Sequence, residues 1–487
     1  MSNQEVYIFV TEGLILEYFY RFRSISSLLD GFHELVNQEI YFPMIDELND
    51  PLEGFMDIVW RGDRIVWRNL LRHYLLCLLD TVALTSLAGD ELSSEKVANL
   101  VYKTDNDLPE APIRTIYSRA CETFLNHKAV EILLDNWSRD EKVIRRDELT
   151  YYLRLMHYSA LKIVIDLLAE YEIKLMSSTQ GMSDHASKSM AMIPEMLRLH
   201  SSFVNEQSAA LFFTSNNIIE QLSLIHELKG SFSPDRHYWL LVVQDFPRHY
   251  LKALERLLYP DWYAACFVTD PTNAAMWGHY GEGHRGMCLK FRAKPNNKGV
   301  ASLELRRATS WSGNGSVGYS YVPHTFEPIK YNSEFIEIDF FRSLGRLPMI
   351  KLSHFWYRGP DGELSDIANG ILGSDSQWRD EYWQRFGDWY RIKLPEWSYE
   401  NEHRLILHSS IDNLEKKEDR KIKYRFDDLS GIIFGLKTSM ANKIAAIRII
   451  EEKCLAVGRT DFEFWQAYYS HRTQRIELFR LNLIRLK

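Results

Sequence analysis

The spacing of apolar residues changes twice along this chain. Up to about residue 58 it is short-range: Tyr18-Phe19-Tyr20-Arg21-Phe22 and residues 39–42 read as strands. Between them, Ile25, Leu28, Leu29, Phe32 and Leu35 fall at helical spacing behind serine caps, predicting one short helix over 24–37. Leu48-Asn49-Asp50-Pro51-Leu52-Glu53 predicts a turn, which Asn, Asp and Pro together favour. From about 65 to 260 the period becomes that of amphipathic helices, over 67–88, 113–134, 147–177, 187–205, 217–229 and 238–258, with a loop at 177–187. After Pro260 strand signals return. They are interrupted by Gly-rich stretches at 311–320 and 357–376, both predicted as loops. Strands are expected at 405–409 and 432–434, a helix at 440–452, and a closing strand within 462–486.

Composition narrows the class. A chain of 487 residues exceeds one ordinary core, and 46% hydrophobic with 13% aromatic content predicts a globular protein with two or three packed regions. The net charge of −8 gives no general attraction to nucleic acid. Cys77, Cys121, Cys266, Cys288 and Cys454 are scattered without a C-x-x-C pair, which argues against a disulfide framework or a cysteine zinc site. The early acidic residues do not suit a signal peptide, and no apolar run approaches the roughly 18–20 residues of a membrane span, so a cytoplasmic protein is expected. No P-loop, G-x-S-x-G or G-x-G-x-x-G occurs, which removes the usual support for P-loop NTPase, serine hydrolase and dinucleotide dehydrogenase readings.

The densest chemistry lies in residues 266–291, where Trp277, His279, Tyr280 and His284 follow an Asp-Pro turn and precede an apolar run. Tyr280 and Trp277 could stack on a flat ring, although Trp277 equally suits a core anchor. His279 and His284 lack a ligand motif, so they are expected to orient a ligand rather than hold a metal. Cys288, inside the apolar run, reads as a small buried hydrophobe. Further on, Glu400 and Glu402 alternate with Tyr399, Asn401 and His403, so period two puts both carboxylates on one face. Glu402 could stabilise a developing positive charge, or form a structural ion pair with Arg404, Arg21 or Arg23. Arg21 and Arg23 share a strand face, suited to gripping a phosphate or to pairing with Glu53. Asp50 and Glu53 are expected mainly to build their turn.

Four segments, in order, resemble a bacterial family catalogued as domain of unknown function 2971. They are Tyr20-Arg21-Phe22-Arg23-Ser24; the Asn49-Asp50-Pro51 turn with Glu53; Met276-Trp277-Gly278-His279-Tyr280 through Cys288; and Trp397-Ser398-Tyr399-Glu400-Asn401-Glu402-His403-Arg404-Leu405. The resemblance covers about 16–60 and 260–450, with the helical block as an insertion. It implies an α+β protein: a discontinuous mixed α/β domain (1–64 and 260–487) around an inserted helical domain (65–259). The opening also looks like ADP-ribosyltransferase-type folds, which bind NAD in a cleft between small sheets. That likeness implies Glu402, Tyr280 and Arg21 as catalytic positions. Arg21, Arg23, Trp277, His279, Tyr280, His284 and Glu400 would then bind NAD, with no metal. The function implied is a bacterial effector of phage defence or toxin type that transfers ADP-ribose or hydrolyses NAD. A protein partner or regulator would act on the helical block, a macromolecule would accept ADP-ribose, and self-association stays open. The alternatives are a non-catalytic nucleotide- or protein-binding sensor or scaffold, and a nucleic-acid-processing enzyme.

Overall fold

The computed structural model describes residues 17–88, 99–109, 111–139, 142–173, 182–200, 205–229, 241–313, 315–332, 334–372, 375–409 and 411–484. The protein is α+β and divides into two compact units: one of Met1–Phe55, Asp261–Phe335 and Asp388–Lys487, the other of Met56–Pro260 and Ile336–Gly387. Residues 336–387, placed by the sequence with 260–487, thus group with the helices. Among the described residues, no helix is long and apolar enough to cross a membrane.

The first unit is built on an eight-stranded sheet. Its strands are β1 (Tyr18–Arg23), β2 (Trp262–Val268), β3 (Met287–Arg292), β4 (Glu327–Pro328), β5 (Glu402–His408), β6 (Leu429–Phe434), β7 (Glu463–Ser470) and β8 (Arg475–Arg480). The order across the sheet is β4-β5-β2-β1-β3-β6-β7-β8. All neighbours are antiparallel except β6 and β7. A parallel pair needs a crossover, and a helix over Met440–Val457 supplies it. The Ser439 side chain accepts from Asn442 N at its start, and Gly458 ends it with φ +67°.

The two faces of this sheet are packed differently. One face carries Phe19, Phe267, Leu289, Leu405, Leu407 and Phe434, joined by Ala446, Ile450 and Cys454 of the crossover helix. Phe22, Val268, Met276, Trp277, Cys288 and Ile433 form a smaller cluster on the other. Period two assigns each side chain of β1, β2 and β5 to one of them.

The second unit is mainly helical, with a small sheet of Asp57–Trp60, Glu337–Asp339 and Ile144–Arg145. The run predicted over 113–134 is two helices, Ile113–Leu125 and Lys128–Trp137, because His127 leaves the helical conformation and caps the second through its side chain. The helices Arg146–Glu170, Met182–His200 and Asn205–Leu228 replace the predicted 147–177, 187–205 and 217–229. The predicted loop at 177–187 is helical from Met182, and its earlier residues lie outside the described ones. Buried polar groups are matched in pairs: Tyr74 OH to His157 Nδ1 at 2.7 Å and His73 Nδ1 to Tyr250 OH at 2.9 Å.

Two predicted elements of the first unit are corrected. Residues 24–37 form two short helical turns, Ser26–Asp30 and Glu34–Asn37, broken where His33 takes φ +54°. Only part of 311–320 is loop: Ala301–Trp311 and Val317–Thr325 pair as a hairpin, so the strands extend into the predicted stretch from both sides. Its glycines mimic a loop signal, but Gly318 lies so close to Ser310 that a side chain there would collide.

Candidate functional site

A buried charge cluster sits on the second face of the sheet, at the start of β5. Residues Pro395–Glu400 form a 3-10 turn, Asn401 takes φ +47°, and Glu402 opens the strand. Glu400 and Glu402 therefore converge by way of this left-handed residue, not by the strand alternation expected from sequence. Lys393, on the short strand Ile392–Lys393, donates from Nζ to Glu400 Oε2 at 2.6 Å and to Glu402 Oε2 at 3.0 Å. Arg404 grips Glu402 in a fork, Nε to Oε1 at 2.7 Å and Nη2 to Oε2 at 3.2 Å. Its Nη1 pairs with Glu53 Oε1 at 2.7 Å. Glu53 Oε2 also lies 3.9 Å from Lys393 Nζ. All five charged side chains are at most 4% exposed.

Three carboxylates thus face two cations in a place that water does not reach, and their proton affinities separate. Burial pushes Glu402 up, but Arg404 and then Lys393 outweigh it and hold its carboxyl well below the usual range. Burial keeps Glu53 raised despite Arg404. It also keeps Glu400 raised despite Lys393 and Tyr280. Lys393 is desolvated too, yet Glu402, Glu400 and Glu53 together raise it. Glu402 is a fixed anion of the network, and Glu400 and Glu53 are the carboxyls that burial makes easier to protonate.

Glu400 is the member that reaches outward. Tyr280, half-buried at the end of the helix Ala274–His279, donates its hydroxyl to Glu400 Oε1 at 2.7 Å. Burial raises Tyr280, so it is a neutral donor at ordinary pH. Asn273 caps the Ala274–His279 helix and also donates to Tyr399 O at 2.7 Å, tying the two loops together. Tyr331 OH accepts from Glu402 N at 2.8 Å. Cys266, across from Arg404 on β2, bonds through its thiol to Glu402, and burial pushes that thiol up.

The other expected residues separate from this cluster. Arg21 lies on the opposite face of the sheet, 5.5 Å from the Phe267 ring, and donates to Cys266 O at 3.3 Å and Tyr41 O at 2.9 Å. It is buried and bonded to carbonyls, and burial lowers it to about 10. Arg21 is therefore no phosphate grip beside Glu402, and the structure corrects that expectation. The reason is parity: Tyr20 and Phe22, not Arg21, share the face with Val268 and Glu402. Arg23 pairs with Glu34, not Glu53. Trp277 is fully buried, donates Nε1 to Pro271 O at 2.8 Å and packs edge-on to Phe22, so it is a core anchor rather than a cofactor contact. His279 is exposed, its ring 6.4 Å from that of Tyr280.

His284 is half-buried at φ +69°, the last of three consecutive left-handed residues after Glu282 and Gly283. The loop is held from both sides: Glu282 Oε2 accepts from Ile25 N at 2.8 Å, and His284 O accepts from Lys437 N at 2.8 Å. Gly286 closes it where a Cβ would meet Arg23 O at 2.2 Å. Among the described residues no group of three or more His, Cys, Asp or Glu could hold a metal ion.

Sequence reasoning named Arg404 as one ion-pair partner for Glu402, and the structure makes that pair. It set Glu53 against Arg21 or Arg23 rather than Arg404, and it missed Lys393, whose signal was a lone lysine between Ile392 and Leu394. Residues 276–405 match the family model described as "Protein of unknown function (DUF2971)". The matched segment holds Tyr280, Lys393, Glu400, Glu402 and Arg404. No curated protein and no solved structure matches.

Proposed function

We propose that the Tyr280–Glu400 edge of this cluster is the reactive centre of an NAD-consuming site of ADP-ribosyltransferase type. The observation that carries the reading is the surplus carboxylate: Glu400 keeps one oxygen on Lys393 and turns the other to the half-buried Tyr280. In the reaction, the bond between ribose C1′ and the nicotinamide nitrogen breaks and its electron pair leaves with nicotinamide. The ribose becomes positive and oxocarbenium-like. The positive charge that the nicotinamide ring carries in the ground state thereby passes to the ribose, and a fixed negative field beside the ribose in a water-poor place favours that shift. Water or a macromolecular nucleophile then bonds to C1′ and gives up its proton. Tyr280 offers a ring for stacking and His279 a neighbouring exposed imidazole. Arg404 is occupied by Glu402 and Glu53, so the pyrophosphate is held by groups outside the cluster. Bacterial defence or toxin action fits such an activity, with the helical unit as regulatory or partner surface.

The ion pairs that occupy Glu402 favour a second reading, a non-catalytic nucleotide- or protein-binding module in which the cluster only stiffens the fold. Nicotinamide release from NAD, followed with the wild type and Glu400→Gln, separates the two. The enzyme reading expects release that the variant loses while staying folded. Absence of release with every acceptor tried, or an unchanged rate in Glu400→Gln, overturns it. Toxicity on expression that Glu400→Gln relieves is expected of the enzyme and not of the module.

A further inference from the structure

A second feature of the first unit lies apart from the charge cluster. Between the crossover helix and strands β7 and β8 runs a groove of about 590 Å³, within the size of small-molecule sites. Met440, Ile444 and Ile447 line one wall at the i, i+4, i+7 spacing that normally buries a helix against its sheet. Phe479 and Ile484 line the other. Here the spacing leaves the stripe open: Met440 is 69% exposed, Ile444 43% and Phe479 46%. The helix is seated farther along, through Ala446, Ile450 and Cys454.

Lys443 is the one charged side chain in the lining. Its Nζ donates to the neutral amide oxygen of Gln466 at 2.5 Å, and among the described residues it has no carboxylate partner. It stands in the first turn of the helix, which contains no acidic residue. A cation there opposes the helix dipole, so the site gains from an added anion. Glu477, on β8 and outside the lining, is held by the hydroxyls of Tyr468 and Thr473. An apolar trough with a single cation that lacks a carboxylate partner among the described residues matches a long alkyl chain ending in one negative group.

We infer that this groove binds a free long-chain carboxylate, with the alkyl chain along Met440, Ile444, Ile447 and Phe479 and the carboxylate on Lys443. The inference is independent of the NAD reading. The probe is hexadecanoate, titrated into the full chain below its micelle concentration against a fluorescent fatty-acid analogue. Saturable one-to-one displacement is expected. Hexanoate, ten methylenes shorter, should give no measurable displacement at the same concentrations, since each lost methylene removes apolar burial. Hexadecanol and the Lys443→Gln variant should each lose about tenfold, the weight of a charge-assisted contact. Ile444→Glu, at an exposed position that folding tolerates, should abolish binding. Unchanged binding by Ile444→Glu, no saturable displacement by the folded wild type, or equal affinity for hexadecylammonium overturns the inference. Binding only to phospholipid vesicles, with none to free hexadecanoate, does so as well.

Discussion

Two buried arginines on opposite faces of one sheet show how differently the same residue type is used. Arg404 is forked on Glu402, paired with Glu53, and holds one end of a five-charge network. Arg21, on the other face, has only backbone carbonyls as hydrogen-bond partners and an aromatic ring beside it. A cation satisfied by carbonyls ties loops together. A cation facing surplus carboxylates fixes a field, and only the second arrangement can act on charge developing in a bound molecule. The face of the sheet decides which use an arginine has, and that face is set by a single step of register.

The largest effect expected from this contrast is Arg404→Met. Removing Arg404 leaves Glu402 and Glu53 buried with Lys393 alone, which should cost about 3–5 kcal/mol in chemical denaturation. Arg21→Met should cost less, about 1–3 kcal/mol, because it strands only carbonyl acceptors. An equal loss in both would remove the distinction.

The pH dependence sharpens it further. Glu402 is held low in the fold, so its contribution is present above the unfolded value of about 4.3 and is lost as pH falls through its lower folded value. Glu400 is raised, so its ionisation weakens the fold as pH rises from about 4.3 through its folded value. Denaturation midpoints for Glu400→Gln should therefore gain on the wild type as pH increases over that window. Glu402→Gln should be less stable than the wild type at neutral pH, and should converge with it on acidification. The smallest effect is Tyr280→Phe, which removes one hydrogen bond and should cost about 0.5–1.5 kcal/mol.

Much of this arrangement was legible in the chain. Alternation of apolar residues located β1 and β6, and helical spacing located the crossover helix. The cluster of rings at 277–284 and the paired Glu400 and Glu402 marked the region where Tyr280 meets a carboxylate. The fold likeness that grouped Arg21 with Glu402 failed at β1, where Arg21 and Phe22 are both buried and the sequence shows no solvent face to choose between them. Lys393 stayed hidden because its partners lie in other segments, and a lysine between apolar residues looks like a surface stem. Gly-rich residues 311–320 resembled a loop because glycine serves close approach in a hairpin as readily as freedom in a turn.

The most direct test of the central contrast is nicotinamide release from NAD by Glu400→Gln and Arg21→Met side by side, each verified as folded. Glu400→Gln is expected to abolish release while Arg21→Met retains it. Release retained by Glu400→Gln and lost in a folded Arg21→Met would contradict the assignment of the reactive centre to the Tyr280–Glu400 face.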